Sequence, residues 1–398
     1  MILKTTGAFY AGKEVIVLNG EKEYLIDIAS ESRYTGQNKE YHDAFRQWRT
    51  KEGNRYGYKY VKDTREHTYA FGEGFETELA SDSERDSLKY SSCAIGGVML
   101  ISAVIRLLQV LFDSRSGHML KGSSIELYGN THPSDILSTV ILSLFKPFSL
   151  LICILLIWMF TRLPKKVFMP KGRRIPARHT FCLFGVVAGI AVTCYILSVF
   201  FRIFFGAKFM SVPGGFVWCD DIGLNIHCFG TQYIITPILH AILMNGLILQ
   251  LLRQFGDSTA IIITATTEAI MAINLTNIGT HFVLSLAVCI VTLKTGSIFK
   301  AIFVRIMINV IFFGLKMIDT SYPSGESELY MLLACILIMA IGLACLGKLI
   351  SYDDFEMNIK SSDTQLNFRN KMQVFFTAMP TISWLAASLI AWLYIAVS

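Results

Sequence analysis

The stretch TPILHAILMNGLILQLLR, residues 236–253, is apolar along nearly its whole length yet holds His240 and Asn245 in its middle. About 20 apolar residues in helical form cross the hydrocarbon core of a bilayer, so this stretch reads as a membrane span. A polar side chain at that depth costs free energy unless something bonds to it. His240 and Asn245 therefore predict polar partners on neighbouring spans, and the fold is to be read around them.

Composition agrees with a membrane setting. The chain has 398 residues, 53% of them hydrophobic and 17% charged, which is too apolar and too weakly charged for an ordinary soluble domain. Charge is unevenly placed: residues 1–90 hold 14 Lys/Arg against 16 Asp/Glu, leaving 22 basic and 14 acidic residues for the remainder. A positive excess in the membrane part suits flanks near anionic lipid, and no nucleic-acid partner is expected.

The expected fold class is an all-α polytopic membrane protein of about 8–9 transmembrane helices, with a small α+β cytoplasmic N-terminal region. Two units are expected, a soluble region at 1–90 and a multi-span domain at 91–398. In the first, EVIVLNGEKEYLIDI (14–28) sets Asn19-Gly20 between alternating apolar runs, a strong hairpin signal. Tyr41, Phe45 and Trp48 then recur at helical spacing. Nothing in this region has the spacing of a nucleophile, a phosphate loop or a metal site, so it reads as a regulatory or connecting appendage.

Clear spans are expected at 93–112, 136–160, 181–205, 233–252, 329–349 and 375–396. Residues 259–318 are apolar but interrupted by NLTNIGTH and LKTGSIFK, which predicts three shorter helices whose polar breaks are covered by protein or a wet cavity. Arg162, Lys165, Lys166, Lys171, Arg173, Arg174 and Arg178 crowd one short loop. By the positive-inside rule that loop faces the cytoplasm, and with it the N-terminal region. The first 20 residues hold no apolar core of signal-peptide length, which agrees with that orientation. Of the nine cysteines only Cys219 and Cys228 share a loop, one that would face outside, where they could be disulfide-bonded or remain free thiols.

Six polar residues fall at membrane depth: His240, Asn245, Glu268, Asn274, Arg305 and Asn309. Arg305 and Asn309 are four apart and share a helix face. Intramembrane charges usually pair inside a bundle, so Glu268 is expected to meet Arg305. His240, Glu268 and His281 offer metal-ligand types, but without ligand spacing on one helix; no metal and no cofactor are expected.

The order PILHAILMNGLILQLLR, AIMAINLTN, TGSIFKAIFVRIMIN resembles the membrane core of the CAAX protease and bacteriocin-processing family, also called Abi, of glutamate-dependent intramembrane proteases. The resemblance covers roughly residues 230–315, with Pro237, Gly246, Asn274, Thr295, Gly296, Ser297 and Asn309 at the family's framework positions. The acid–base residues differ. The resemblance implies a Glu-Glu-x-x-x-Arg motif where His240, Ala241 and Asn245 stand, a Phe-x-x-x-His motif where Glu268 and Ala272 stand, and a histidine where Arg305 stands.

The leading expectation is a pseudoenzyme: a multi-pass cell-membrane protein, bacterial by this resemblance, that holds a membrane or envelope protein partner in the bilayer. The alternative is an active endopeptidase in which Glu268, His240 and Asn309 have taken over catalysis. A transporter ranks last, since no internal repeat is visible. Oligomeric state is left open.

Overall fold

The computed structural model describes residues 14–17, 23–27, 37–63, 80–115, 136–172, 176–205, 221–272, 278–323, 325–351 and 364–397. It is nearly all helical. After α1 (Lys39–Thr50) come the long helices α2 (Ala80–Arg115), α3 (Ile136–Thr161) and α4 (Ala177–Phe205). A continuous helix α5 (Ile222–Phe255) is followed by α6 (Asp257–Met271), α7 (Ile278–Thr295), α8 (Ile298–Ser321) and α9 (Glu326–Ile350). The chain ends in α10 (Phe368–Thr377) and α11 (Met379–Val397), bent against each other by 71°. Among the described residues seven helices are long and apolar enough to cross a membrane, or eight if the bent pair makes one span.

Helix α5 is the axis of the bundle. Ala241 and every residue from Leu243 to Phe255 are buried, the polar Asn245, Gln250, Arg253 and Gln254 among them each with a hydrogen-bond partner. Its backbone widens into π-helical turns at Gly230–Ile235 and Ile242–Ile248, on either side of His240. In the second of these turns the carbonyl of Asn245 accepts a hydrogen bond from Gln250 Nε2 at 3.2 Å.

The interrupted region forms three helices, as its polar breaks require. Helix α6 has 15 residues and spans about 22 Å, short of the ~30 Å hydrocarbon thickness. Its orphan C-terminal carbonyls are satisfied by side chains from other helices: Arg106 donates to Met271 O at 2.8 Å and Trp392 Nε1 to Ala272 O at 2.9 Å. At the second break, Gly296 takes φ +63°. Ile298 N donates to Pro170 O at 3.1 Å, and Lys171 bridges Ser297, so the basic loop lies over the break.

Two close approaches fix the bundle. A Cβ on Gly246 would lie 2.6 Å from Phe168 O, so glycine lets the basic loop cross directly over α5. Gly185 and Gly189 of α4 form a Gly-x-x-x-Gly face against Gly342 of α9, where a Cβ on Gly342 would lie 2.9 Å from Gly189 Cα.

The N-terminal region docks onto the basic-loop end of this bundle. Tyr41, Phe45 and Trp48 are buried along one face of α1. Tyr41 OH donates to Gln250 Oε1 at 2.7 Å and Trp48 Nε1 to Thr161 O at 2.9 Å. Gln254 accepts from Tyr58 N at 2.7 Å and donates to Tyr56 O at 2.8 Å. Gln37, with its amide oriented to satisfy both partners, donates to Gly296 O at 3.1 Å and accepts from Arg253 at 3.2 Å.

The expected α+β unit needs correction. Three short antiparallel strands, β1 (Glu14–Val17), β2 (Glu23–Asp27) and β3 (Tyr60–Asp63), pair in the order β1-β2-β3, and the Asn19-Gly20 turn lies outside the described residues. Strands of four or five residues need a packed face to stand alone. The described core of the region is α1 against the bundle, so these strands do not amount to a supported α+β domain.

Candidate functional site

The polar residues of the central helices meet in one buried cluster. Glu268 projects from α6, Arg305 from α8 and Asn245 from the π-helical turn of α5, and all three are at least nine-tenths buried. Arg305 NH1 donates to Glu268 Oε1 and NH2 to Oε2, each at 2.7 Å, the parallel two-bond geometry in which a guanidinium matches a carboxylate. Its remaining Nε–H donates to Asn245 Oδ1 at 3.0 Å.

Helix α7 completes the cluster with two residues that the sequence reading missed. Ser285 donates its hydroxyl to Glu268 Oε2 at 2.6 Å, and Cys289 Sγ accepts from Asn245 Nδ2 at 3.4 Å. Ser285 and Cys289 are four apart and share a face, a spacing that could have found them once α7 was set beside α6. Both are fully buried.

His240 stands at the edge of this cluster. Its Nε2 is 3.9 Å from Glu268 Oε1, beyond hydrogen-bond reach, and has no hydrogen-bond partner among the described residues. One turn before Glu268, the buried Thr264 hydroxyl likewise has no partner among the described residues. Asn309 turns back onto its own helix, where Nδ2 donates to Arg305 O at 2.8 Å. Asn274 and Cys219 lie outside the described residues, and with Cys219 the expected Cys219–Cys228 pairing; Cys228 is buried beside Leu224 and Tyr233. Among the described residues no three His, Cys, Asp or Glu side chains gather as a metal site.

The chemical capacity of the cluster follows from its bonding. A carboxylate that activates water needs an acceptor site open to that water within about 3 Å. Arg305 takes both oxygens of Glu268, and Ser285 takes Oε2 a second time. His240 Nε2 lies on the Oε1 side of the carboxylate, 3.9 Å away.

Residues 224–311 match the family model of the Rce1-like type II CAAX prenyl endopeptidases. Comparison with curated proteins gave no match, and neither did comparison with solved structures. The matched segment runs from α5 into α8 and so carries Asn245, Glu268, Ser285, Cys289 and Arg305. It bears out the resemblance read from the three motifs, and the membrane core of this chain is Rce1-like over those residues.

Proposed function

We propose that this chain is an integral-membrane pseudoprotease, a CAAX-protease-like core that binds another membrane or envelope protein and does not hydrolyse it. The observation that carries this reading is the closed Glu268–Arg305–Asn245–Ser285 network. The carboxylate at the centre of the core is held by a guanidinium and a hydroxyl. The resemblance assigns the general base and its arginine partner to positions occupied here by His240, Ala241 and Asn245. A buried charge needs a bonded partner, and Arg305 supplies it to Glu268.

Binding is then a matter of surfaces. A membrane core that is similar to a peptidase family over residues 224–311 offers helix-packing faces and polar contacts to a partner's transmembrane helix. The docked N-terminal region supplies a second surface at the basic-loop end, which the positive-inside rule places in the cytoplasm. His240, with its unbonded Nε2 facing Glu268 Oε1, is the one feature favouring residual hydrolysis, and the test addresses it.

The test is purification of the full chain from gently solubilised native membranes, with and without crosslinking. It is paired with incubation of the purified protein, in proteoliposomes, with a prenylated peptide of CAAX type. The expected result is an intact membrane protein copurifying at fixed stoichiometry and an uncut peptide. Loss of every partner under mild conditions, or cleavage of the peptide that His240→Ala abolishes, contradicts the proposal.

A further inference from the structure

Helices α4 and α9 carry, besides their glycine crossing, a pair of thiols far apart in sequence. Their contacts follow an antiparallel register: Gly189 lies against Gly342, and Gly185 lies against Cys345. A Cβ on Gly185 would be 2.6 Å from Cys345 Sγ and 3.1 Å from Cys345 Cβ. Cys182 is three residues before Gly185 and so faces the same side of α4. It packs in one apolar cluster with Leu349 and Cys345 of α9. The absence of a side chain at Gly185 lets the two helices come close beside Cys345, one turn from Cys182 on the same face of α4.

We propose that Cys182 and Cys345 form a redox-controlled disulfide that staples α4 to α9. Cys345 is the more accessible of the two, Cys182 being 8% exposed. The Cys345 thiolate attacks a low-molecular-weight disulfide, breaking its S–S bond, releasing one thiolate and leaving a mixed disulfide on Cys345. The Cys182 thiolate then attacks that sulfur, forms the Cys182–Cys345 bond and expels the second thiolate. The two protons lost by the protein thiols end on the two released small thiols, so one disulfide is reduced as one is formed. The staple closes a loop that spans α5 to α8, and its α4 end packs against Val288, Val291, Ala301, Val304 and Ile308 of α7 and α8. Oxidation therefore fixes the wall behind the helices that carry Ser285 and Arg305.

The test uses the full chain in native membranes treated with 4,4′-dithiodipyridine, a membrane-permeant disulfide. Remaining thiols are then alkylated, and the protein is digested and analysed by mass spectrometry with and without reduction. Cys194 and Cys335, which lie on the same two helices and make no described hydrogen bond to each other, serve as the internal comparison. The expected result is a Cys182–Cys345 crosslinked peptide that disappears on reduction and in Cys182→Ser and Cys345→Ser. A rise in melting temperature that reductant reverses is expected with it, and is absent from both variants. Dipyridyl adducts on Cys345 without closure, or Cys194–Cys335 crosslinks at equal yield, overturn the proposal.

Discussion

Arg305 meets Glu268 with both terminal guanidinium nitrogens, each 2.7 Å from a different carboxylate oxygen, inside a bundle where both residues are more than nine-tenths buried. Removing one partner leaves a buried charge uncompensated, which costs about 3–5 kcal/mol. Glu268→Gln and Arg305→Met are each expected to destabilise the protein by that order, whereas the double variant is expected to cost clearly less than the sum. Thermal unfolding of the four proteins in one detergent gives the coupling directly; additive losses would mean that the two side chains act independently.

Ser285 has a smaller part in the same cluster. Ser285→Ala removes one hydroxyl donor from a carboxylate that keeps its guanidinium, and a loss of about 1.5–3 kcal/mol is expected for a bond to a charged group. His240→Ala removes no hydrogen bond of Nε2 and is expected to leave stability nearly unchanged. A large loss in His240→Ala and none in Ser285→Ala would reverse the assignment of which residue holds Glu268.

Glycine at 246 and 296 is required for two different reasons. A side chain at Gly246 would collide with Phe168 O, a backbone atom that cannot turn aside, and Gly246→Ala is expected to cost about 1–3 kcal/mol. Gly296 holds φ +63°, which an alanine adopts only with strain. Both variants should loosen the basic loop, read as faster proteolysis between residues 162 and 178 in membranes; unchanged proteolysis would separate the loop from these two positions.

A second buried ion pair ties the ends of the bundle. Lys371 Nζ lies 3.4 Å from Glu84 Oε1 and donates to Phe255 O at 2.6 Å, linking α10 and α2 to the end of α5. Lys371→Met is expected to destabilise by about 3–5 kcal/mol, because Glu84 is fully buried. Much of that loss should return in Lys371→Met/Glu84→Gln, measured in the same unfolding assay.

Docking of α1 is testable without touching the core. Tyr41→Phe removes the hydroxyl that bonds Gln250 and Arg253, at a cost of about 1 kcal/mol. Hydrogen exchange should rise in residues 39–50 and stay constant in α5. Equal exchange in both segments would mean that α1 is held by apolar contacts alone.

Parts of this arrangement could be read from the sequence because burial leaves few options. A carboxylate and a guanidinium at membrane depth have to pair, so Glu268–Arg305 followed from their positions alone, and NLTNIGTH and LKTGSIFK marked the helix breaks. Asn245 stands out in the sequence beside them, while its π-helical turn does not, since a widened turn leaves no residue pattern behind. The same gap hid Ser285 and Cys289, two small residues that become polar partners once α7 lies beside α6. Tyr41, Phe45 and Trp48 announced an amphipathic helix but not what covers it, which depends on Gln250 and Thr161 more than a hundred residues away. Gly185 and Gly189 were in plain view, and their spacing has meaning only against Gly342.

The most direct test of the pseudoprotease account is a mass-spectrometric comparison of native membranes carrying the wild-type chain, His240→Ala, or no chain. Membrane-protein fragments are identified by their new termini. The account predicts the same fragments in all three, with an intact partner recovered on the wild-type protein. Fragments that depend on the wild-type chain and vanish with His240→Ala would contradict it, and would make Glu268 and His240 a working catalytic pair.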